Sequence, residues 1–414
     1  MFALLLCVVG IIISGGGFPN DSYLGVPVIY MILGSLLFSY IYYFVTRRES
    51  LIFDSAGKAL LALESWGLLC VLLSFLGVNR LFQTDLSYEY SFIPRQAVYL
   101  FVLPAVILLR DDFYFKKTEQ FLRQYGEVFF WVLYVAEMIY CNGIVLTTMA
   151  TGLLCWLSMQ LDTNQRWRRW IRIMALMIPP APSFAGGDST LLFIRILFFG
   201  VCVIPKRWLR LGLCIMAVGV LVVVTSCFII PIAMRDDFFS DWNIAWRVRT
   251  WGDVENTLAD TKYLGTGYGT SYPSKTYAEE SRQRRETQYK AGDGYTQYER
   301  TFVTAPHNSF MSLTMRTGVI GLFFFILFLF LLFWNIIKYK SPPSRSAAFA
   351  LFAGIAMIMF NVGLENPGYL LTFTFLIGAC AREGKKQKEQ NRLLREQEEM
   401  IYNMTAEKAE TVMC

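Results

Sequence analysis

The feature that most constrains this chain is the recurrence of apolar blocks of roughly 20 residues, the helix length that crosses a bilayer core. They fall at about 2–15, 23–45, 59–77, 92–109, 127–141, 144–161, 170–186, 189–205, 209–233, 308–337, 346–363 and 368–381. The core of one soluble domain cannot absorb so many. Hydrophobic residues make up 55% of the chain and charged residues only 17%, against about a quarter charged in soluble domains. The chain therefore reads as an all-α integral membrane protein of about 12 transmembrane helices. The first block lacks a basic leader and runs into Gly15-Gly16-Gly17 with no clear cleavage pattern, so it reads as a short span and not a signal peptide.

Basic clusters orient the spans. Arg47-Arg48, Arg110 with Lys116-Lys117, Arg166 with Arg168-Arg169, Lys206-Arg207, Lys338 with Lys340, and Arg382 with Lys385-Lys386 follow the second, fourth, sixth, eighth, tenth and twelfth blocks. Every even-numbered span thus ends on the cytoplasmic side, and both termini are expected there. The net charge of +6 reflects this orientation signal and not nucleic-acid binding. The organisation expected is transmembrane helices 1–9 over 1–233, an extracytoplasmic loop domain over 234–307, transmembrane helices 10–12 over 308–381, and a charged cytoplasmic tail over 382–414. A connection as long as 234–307 points to function. Within it, Lys275 to Lys290 reads as an exposed helix with Glu280–Arg284 and Glu286–Lys290 pairs. The nine cysteines fall almost entirely in apolar blocks and form no C-x-x-C pair, which argues against a disulfide framework, a zinc site or a redox site.

Candidate chemistry gathers where the outer loop meets the membrane. His307 is the only histidine, and it stands where the loop enters span ten. If 308–337 is one helix, His307, Met311, Thr314 and Gly318 share a face, with Gly321 close by. Glycines there would let another helix or a lipid chain approach. A histidine at such a boundary can serve as a base or hydrogen-bond a phosphate; spacing alone favours a wet interfacial side chain with no role. Arg247 and Arg249 open the outer loop beside Trp246 and Trp251, and paired arginines can grip a diphosphate. Gly265-Thr266-Gly267-Tyr268-Gly269 fits neither a Walker loop nor a dinucleotide fingerprint and reads as a tight, flexible turn. Charged residues within spans, Arg195, Arg316, Glu64 and Glu137, are functional by default or form structural ion pairs.

These residues resemble the O-antigen ligase and polymerase superfamily, whose loop motif is His-(Asn/Ser/Gln)-x9-Gly-x-x-Gly. Here it is His307-Asn308, nine residues, then Gly318-Val319-Ile320-Gly321. Upstream stand the Arg-x-x-x-Trp of Arg247 to Trp251 and the Gly265/Gly267 turn, in the family's order. The resemblance is sharp over about 245–325 and architectural elsewhere. It implies a GT-C-like, metal-independent glycosyltransferase of the bacterial inner membrane, with no cofactor and a large periplasmic loop between spans nine and ten. The donor implied is a glycan on undecaprenyl diphosphate. The acceptor is lipid A-core for a ligase, or another lipid-linked glycan for a polymerase. His307 would be catalytic. Arg247, Arg249, Asn308, Arg316 and Arg195 would bind diphosphate or glycan, and Trp251, Gly318 and Gly321 would shape the motif. A ligase is the first reading, a polymerase the second. A lipid-linked glycan flippase is the rival from another class; it would be expected to show paired repeat halves, and no convincing internal repeat is visible.

Overall fold

In the computed structural model, the described residues are 54–78, 85–106, 124–135, 154–159, 166–176, 242–283, 297–303, 306–337, 342–360, 364–365 and 367–413, with isolated positions at 120 and between 22 and 45. They are overwhelmingly helical; Ser22–Tyr23 and Val26–Pro27 form one short antiparallel pair. The longer helices are α1 (Ser55–Phe75), α2 (Arg166–Leu176), α3 (Trp242–Asp260), α4 (Lys275–Gln283), α5 (Gln297–Val303), α6 (Ser309–Ile337), α7 (Pro342–Phe360) and α8 (Pro367–Met413). The expected spans one, eight and nine, most of spans six and seven, about half of span two, the end of span five and Glu137 lie outside the described residues.

Sequence explains where α1 starts and stops. Asp54 accepts the Gly57 amide at 2.9 Å as an N-cap. At the far end Gly77 takes a left-handed φ of 73° and returns its amide to Ser74 O at 3.0 Å. Ala56, Leu60, Leu63, Gly67, Cys70 and Ser74 form its buried face at helical spacing, while Leu61, Leu68, Leu72 and Phe75 are exposed. A helix apolar on both its buried and its exposed faces suits lipid and not water. Likewise, α6 buries Phe325, Phe328, Leu332 and Ile336 but exposes Phe323, Ile326, Phe330 and Trp334. Both α1 and residues 309–336 are long and apolar enough to cross a bilayer, and Ser344–Met359 is a shorter apolar stretch.

Helices surrounded by lipid associate through close packing and small residues. α6 lies at the centre, against α1, α7 and α8. A Cβ on Gly67 of α1 would stand 2.4 Å from Leu100, so this glycine admits the leucine. Ala347, Ala350, Ala353 and Gly354 give α7 a small-residue face, and a Cβ on Gly354 would touch Phe373 of α8 at 3.1 Å.

Several expectations change. The fourth apolar block is not one regular helix: it runs through the short turns Tyr90–Phe92, Ile93–Gln96 and Val98–Val102, with Pro94 inside. Arg166, Arg168 and Arg169 belong to α2, which places the cluster on a helix and starts the seventh segment earlier. Arg247 and Arg249 are likewise helical, within α3, and do not stand on an irregular loop. The twelfth block and the tail form a single helix, α8, of 47 residues. The described part of the outer-loop helix is α4; Arg284, Glu286 and Lys290 lie outside the described residues.

Candidate functional site

The site is organised by a break in α6. Gly318 has φ 67° and ψ −172°, a conformation open essentially to glycine alone. The face that would carry His307 regularly down to Gly318 therefore ends at the break. Peptide groups around it bond outside the helix. Met315 O accepts from the Thr266 amide at 2.6 Å and the Thr266 hydroxyl at 2.9 Å. Thr317 O accepts from the Trp66 indole at 2.6 Å, and the Val319 amide donates to Tyr263 O at 3.0 Å. Buried peptide groups must find partners somewhere, and here a loop and α1 supply them. The contact is backbone on backbone: a Cβ on Gly318 would lie 2.5 Å from Leu264 O, and one on Gly265 would lie 2.5 Å from Gly318 N. Gly321 serves another end, since a Cβ there would meet the Thr317 hydroxyl at 2.0 Å. The motif glycines thus admit a loop and a neighbouring threonine.

That loop is the glycine-rich segment. It is buried and strapped down, contrary to the flexible turn expected, because its backbone groups are bonded from three sides. Gly265, Gly267 and Gly269 all have positive φ, and Thr266 and Tyr268 are fully buried. The Tyr268 amide donates to the Ser74 hydroxyl at 2.8 Å, and the Tyr268 and Tyr99 hydroxyls meet at 2.5 Å. Gln96 joins three strands of chain: its Oε1 accepts from Gly269 N at 2.8 Å, and its Nε2 donates to Thr270 O and Phe302 O, each at 3.0 Å. Asp253 of α3 accepts from the Ser274 amide at 2.8 Å and hydroxyl at 2.6 Å, fixing the start of α4. Burial raises its carboxyl, and the two Ser274 bonds oppose that rise.

His307 sits where this framework meets α6. Its backbone is left-handed, φ 51°, uncommon for a side-chain-bearing residue. The Trp251 indole donates to Pro306 O at 2.5 Å and pins the preceding peptide. Trp246 stands edge-to-face with the imidazole, centroids 4.9 Å apart and planes at 87°. Among the described residues the imidazole makes no hydrogen bond, and its Nδ1 is buried. Its pKa is pushed down to about 4, first by burial and then by the adjacent Arg247 guanidinium. Burial also works against the charge of Arg247. A neutral imidazole and an arginine thus share a partly dry corner between α3 and α6.

Beyond His307 the first turns of α6 carry polar groups. Asn308 Oδ1 accepts from the Phe310 and Met311 amides, both at 3.1 Å, which makes Asn308 the helix cap. Ser309, fully buried, donates to Glu365 Oε2 at 3.0 Å and accepts from the Leu364 amide at 3.1 Å. Burial raises the Glu365 carboxyl, with Ser312, Ser309 and Arg316 opposing. Arg316, 1% exposed, donates to Gly267 O at 3.2 Å and to the Thr270 hydroxyl, and lies 4.1 Å over the Tyr272 ring. Among the described residues its Nε and Nη2 have no hydrogen-bond partner.

Residues 185–326 match the family model described as O-Antigen ligase. That stretch contains the break in α6, the glycine strap, Arg247 and the His307 corner. Over that stretch the chain is similar to the O-antigen ligase family. A comparison with curated proteins found no match. The family is membrane-associated, in keeping with the apolar helices.

The candidate site residues therefore divide by what they touch. His307 and Arg247 come together, with Trp251 bracing the approach. Arg249 lies two residues further along α3, half-buried. The side-chain oxygen of Asn308 is spent on the helix cap. Arg316 is buried under the glycine strap, clamping it to α6. Arg195 lies outside the described residues. Three contributors go beyond the sequence expectation. Trp246 stands there only as a neighbour of the arginines, Gln96 as part of an apolar block, and Glu365 stands 56 residues from Ser309, with no local pattern to link them.

Proposed function

We propose that this protein is an O-antigen ligase-like glycosyltransferase. It would move a glycan from undecaprenyl diphosphate to lipid A-core or a similar glycolipid at the periplasmic face of the inner membrane. The observation that carries the reading is the corner between α3 and α6, where the His307 imidazole packs edge-to-face on Trp246, beside Arg247 on the same helix, and makes no hydrogen bond among the described residues. The match of residues 185–326 to the O-antigen ligase model supports glycosyl transfer as the reaction class. In the proposed site Arg247, aided by Arg249, receives the diphosphate as the bond from the anomeric carbon to the phosphate oxygen breaks. The guanidinium stabilises the charge gathering on the leaving group. His307 accepts a hydrogen bond from the acceptor hydroxyl and takes its proton as the new glycosidic bond forms. An imidazole with a pKa of about 4 is a weak base, and the cause matters. Part of the lowering comes from Arg247, so a diphosphate dianion seated on that arginine raises the basicity of His307 when the donor arrives. The spans, with 234–307 outside and both termini in the cytoplasm, complete the proposal.

Reconstitution into liposomes with lipid-linked glycan and candidate acceptors tests it. Glycan joined to lipid A-core supports the ligase reading. Glycan joined only to a second lipid-linked unit makes the protein a polymerase of the same superfamily. Movement of the lipid across the bilayer without a new glycosidic bond would leave a transporter.

A further inference from the structure

We propose that Glu365, brought in by the connection between α7 and α8, is a positioning residue for His307: it holds the first turn of α6 and so aims the imidazole. The inference rests on the functional reading above and deepens it.

The need for such a residue follows from the geometry. Among the described residues the His307 side chain makes no hydrogen bond, and its backbone is left-handed. An imidazole in this setting takes its direction from the chain on either side of it and from the Trp246 ring. Upstream, Trp251 holds Pro306 O. Downstream, Asn308 caps α6 but bonds only within its own turn. Among the described residues the hydrogen bonds from that turn to another element run through Ser309. Its hydroxyl uses its proton on Glu365 Oε2 at 3.0 Å and accepts from Leu364 N at 3.1 Å. Ser309 is fully buried, so loss of the carboxylate oxygen removes its bond to Glu365 where bulk water cannot readily replace it. The same α6 face continues with Ser312 and Arg316, both of which favour the charged form of Glu365 while burial outweighs them. A carboxyl kept towards its neutral form acts here as a hydrogen-bonding group, which an amide of the same shape can imitate. Glu365 also couples the α7–α8 connection to the catalytic corner, so a displacement of those helices reaches His307 through one side chain.

The test is steady-state transfer by the full-length protein in liposomes, with lipid-linked glycan as donor, for E365A, E365Q, S309A and H307A. The expected result is a kcat at least tenfold lower for E365A and S309A, donor KM within about twofold of wild type, and E365Q within about threefold of wild-type kcat. Wild-type kcat in E365A overturns the inference, as does an E365Q that fails like E365A. If E365A does not fold, E365Q and S309A decide by the same criteria. H307A separates the two levels: wild-type transfer by H307A removes the functional reading itself, whereas an inactive H307A beside a fully active E365A removes only the role of Glu365.

Discussion

At the scale of single residues, the site depends on one protonation state and one backbone conformation. His307 is neutral over a wider range than an ordinary histidine, because its pKa falls from 6.5 to about 4. The base form is present above the folded pKa and is lost only as pH drops through it. Transfer measured as kcat/KM should stay within about twofold from pH 7 to pH 5, where an unperturbed histidine would lose roughly thirtyfold of its neutral form. A fall centred near pH 6.5 would show that burial and Arg247 do not act as described. The backbone condition sits at Gly318. A methyl group there meets Leu264 O at 2.5 Å in a conformation reserved for glycine, so G318A should destabilise the protein by at least about 2–3 kcal/mol and abolish transfer. Gly252 is the control: nothing lies within 4 Å of its Cβ position in α3, and G252A should stabilise by about 0.5–1 kcal/mol. Thermal unfolding in detergent compares the two. The sequence marks His307 and both glycines clearly, because their spacing is a motif. It does not show what the glycines are for, since the apolar pattern of α6 runs through Gly318 without interruption.

At the scale of elements, the working unit is a helix broken on purpose and a loop that repairs it. α6, the strap around Gly265–Gly269 and the Trp66 indole of α1 exchange the hydrogen bonds that a straight helix would keep to itself. Gln96 is the hinge of this arrangement, with one acceptor and two donor contacts, all buried. Replacing it by leucine orphans three peptide groups and should cost about 2–4 kcal/mol. Gln96→Glu keeps the shape but sets carboxylate oxygen against two carbonyls, and should be no better than Gln96→Leu. Limited proteolysis between Tyr263 and Tyr272, protected in wild type and open in both variants, reads this out; protection in either variant would contradict it. None of this is visible in the amino-acid string, where a glutamine at the edge of an apolar block has no partner within helical reach and a Gly-x-Gly-x-Gly run suggests only looseness. The strap is rigid because other parts of the chain bond it, and those parts lie 173 residues away.

At the scale of the whole molecule, the membrane character was legible because it is carried by block length and charge placement, which need no tertiary information. The continuous α8 and the fragmented fourth block were less so: an apolar count cannot tell a straight helix from short turns around Pro94. Orientation gives a direct prediction. Glu279 in α4 and Glu398 in α8 are both exposed. Glu279→Cys should react with a membrane-impermeant thiol reagent in intact spheroplasts, and Glu398→Cys only after permeabilisation; the reverse pattern would invert the topology and place His307 on the wrong side for a periplasmic acceptor. The proposed chemistry turns on whether the His307 imidazole and the Arg247 guanidinium perform one reaction. The most direct measurement is single-turnover transfer from a lipid-diphosphate-linked glycan by folded wild-type, H307A and R247A protein. The account predicts a glycosidic product from wild type and at least about a hundredfold slower formation in each variant; product formed at the wild-type rate by H307A or by R247A would contradict it.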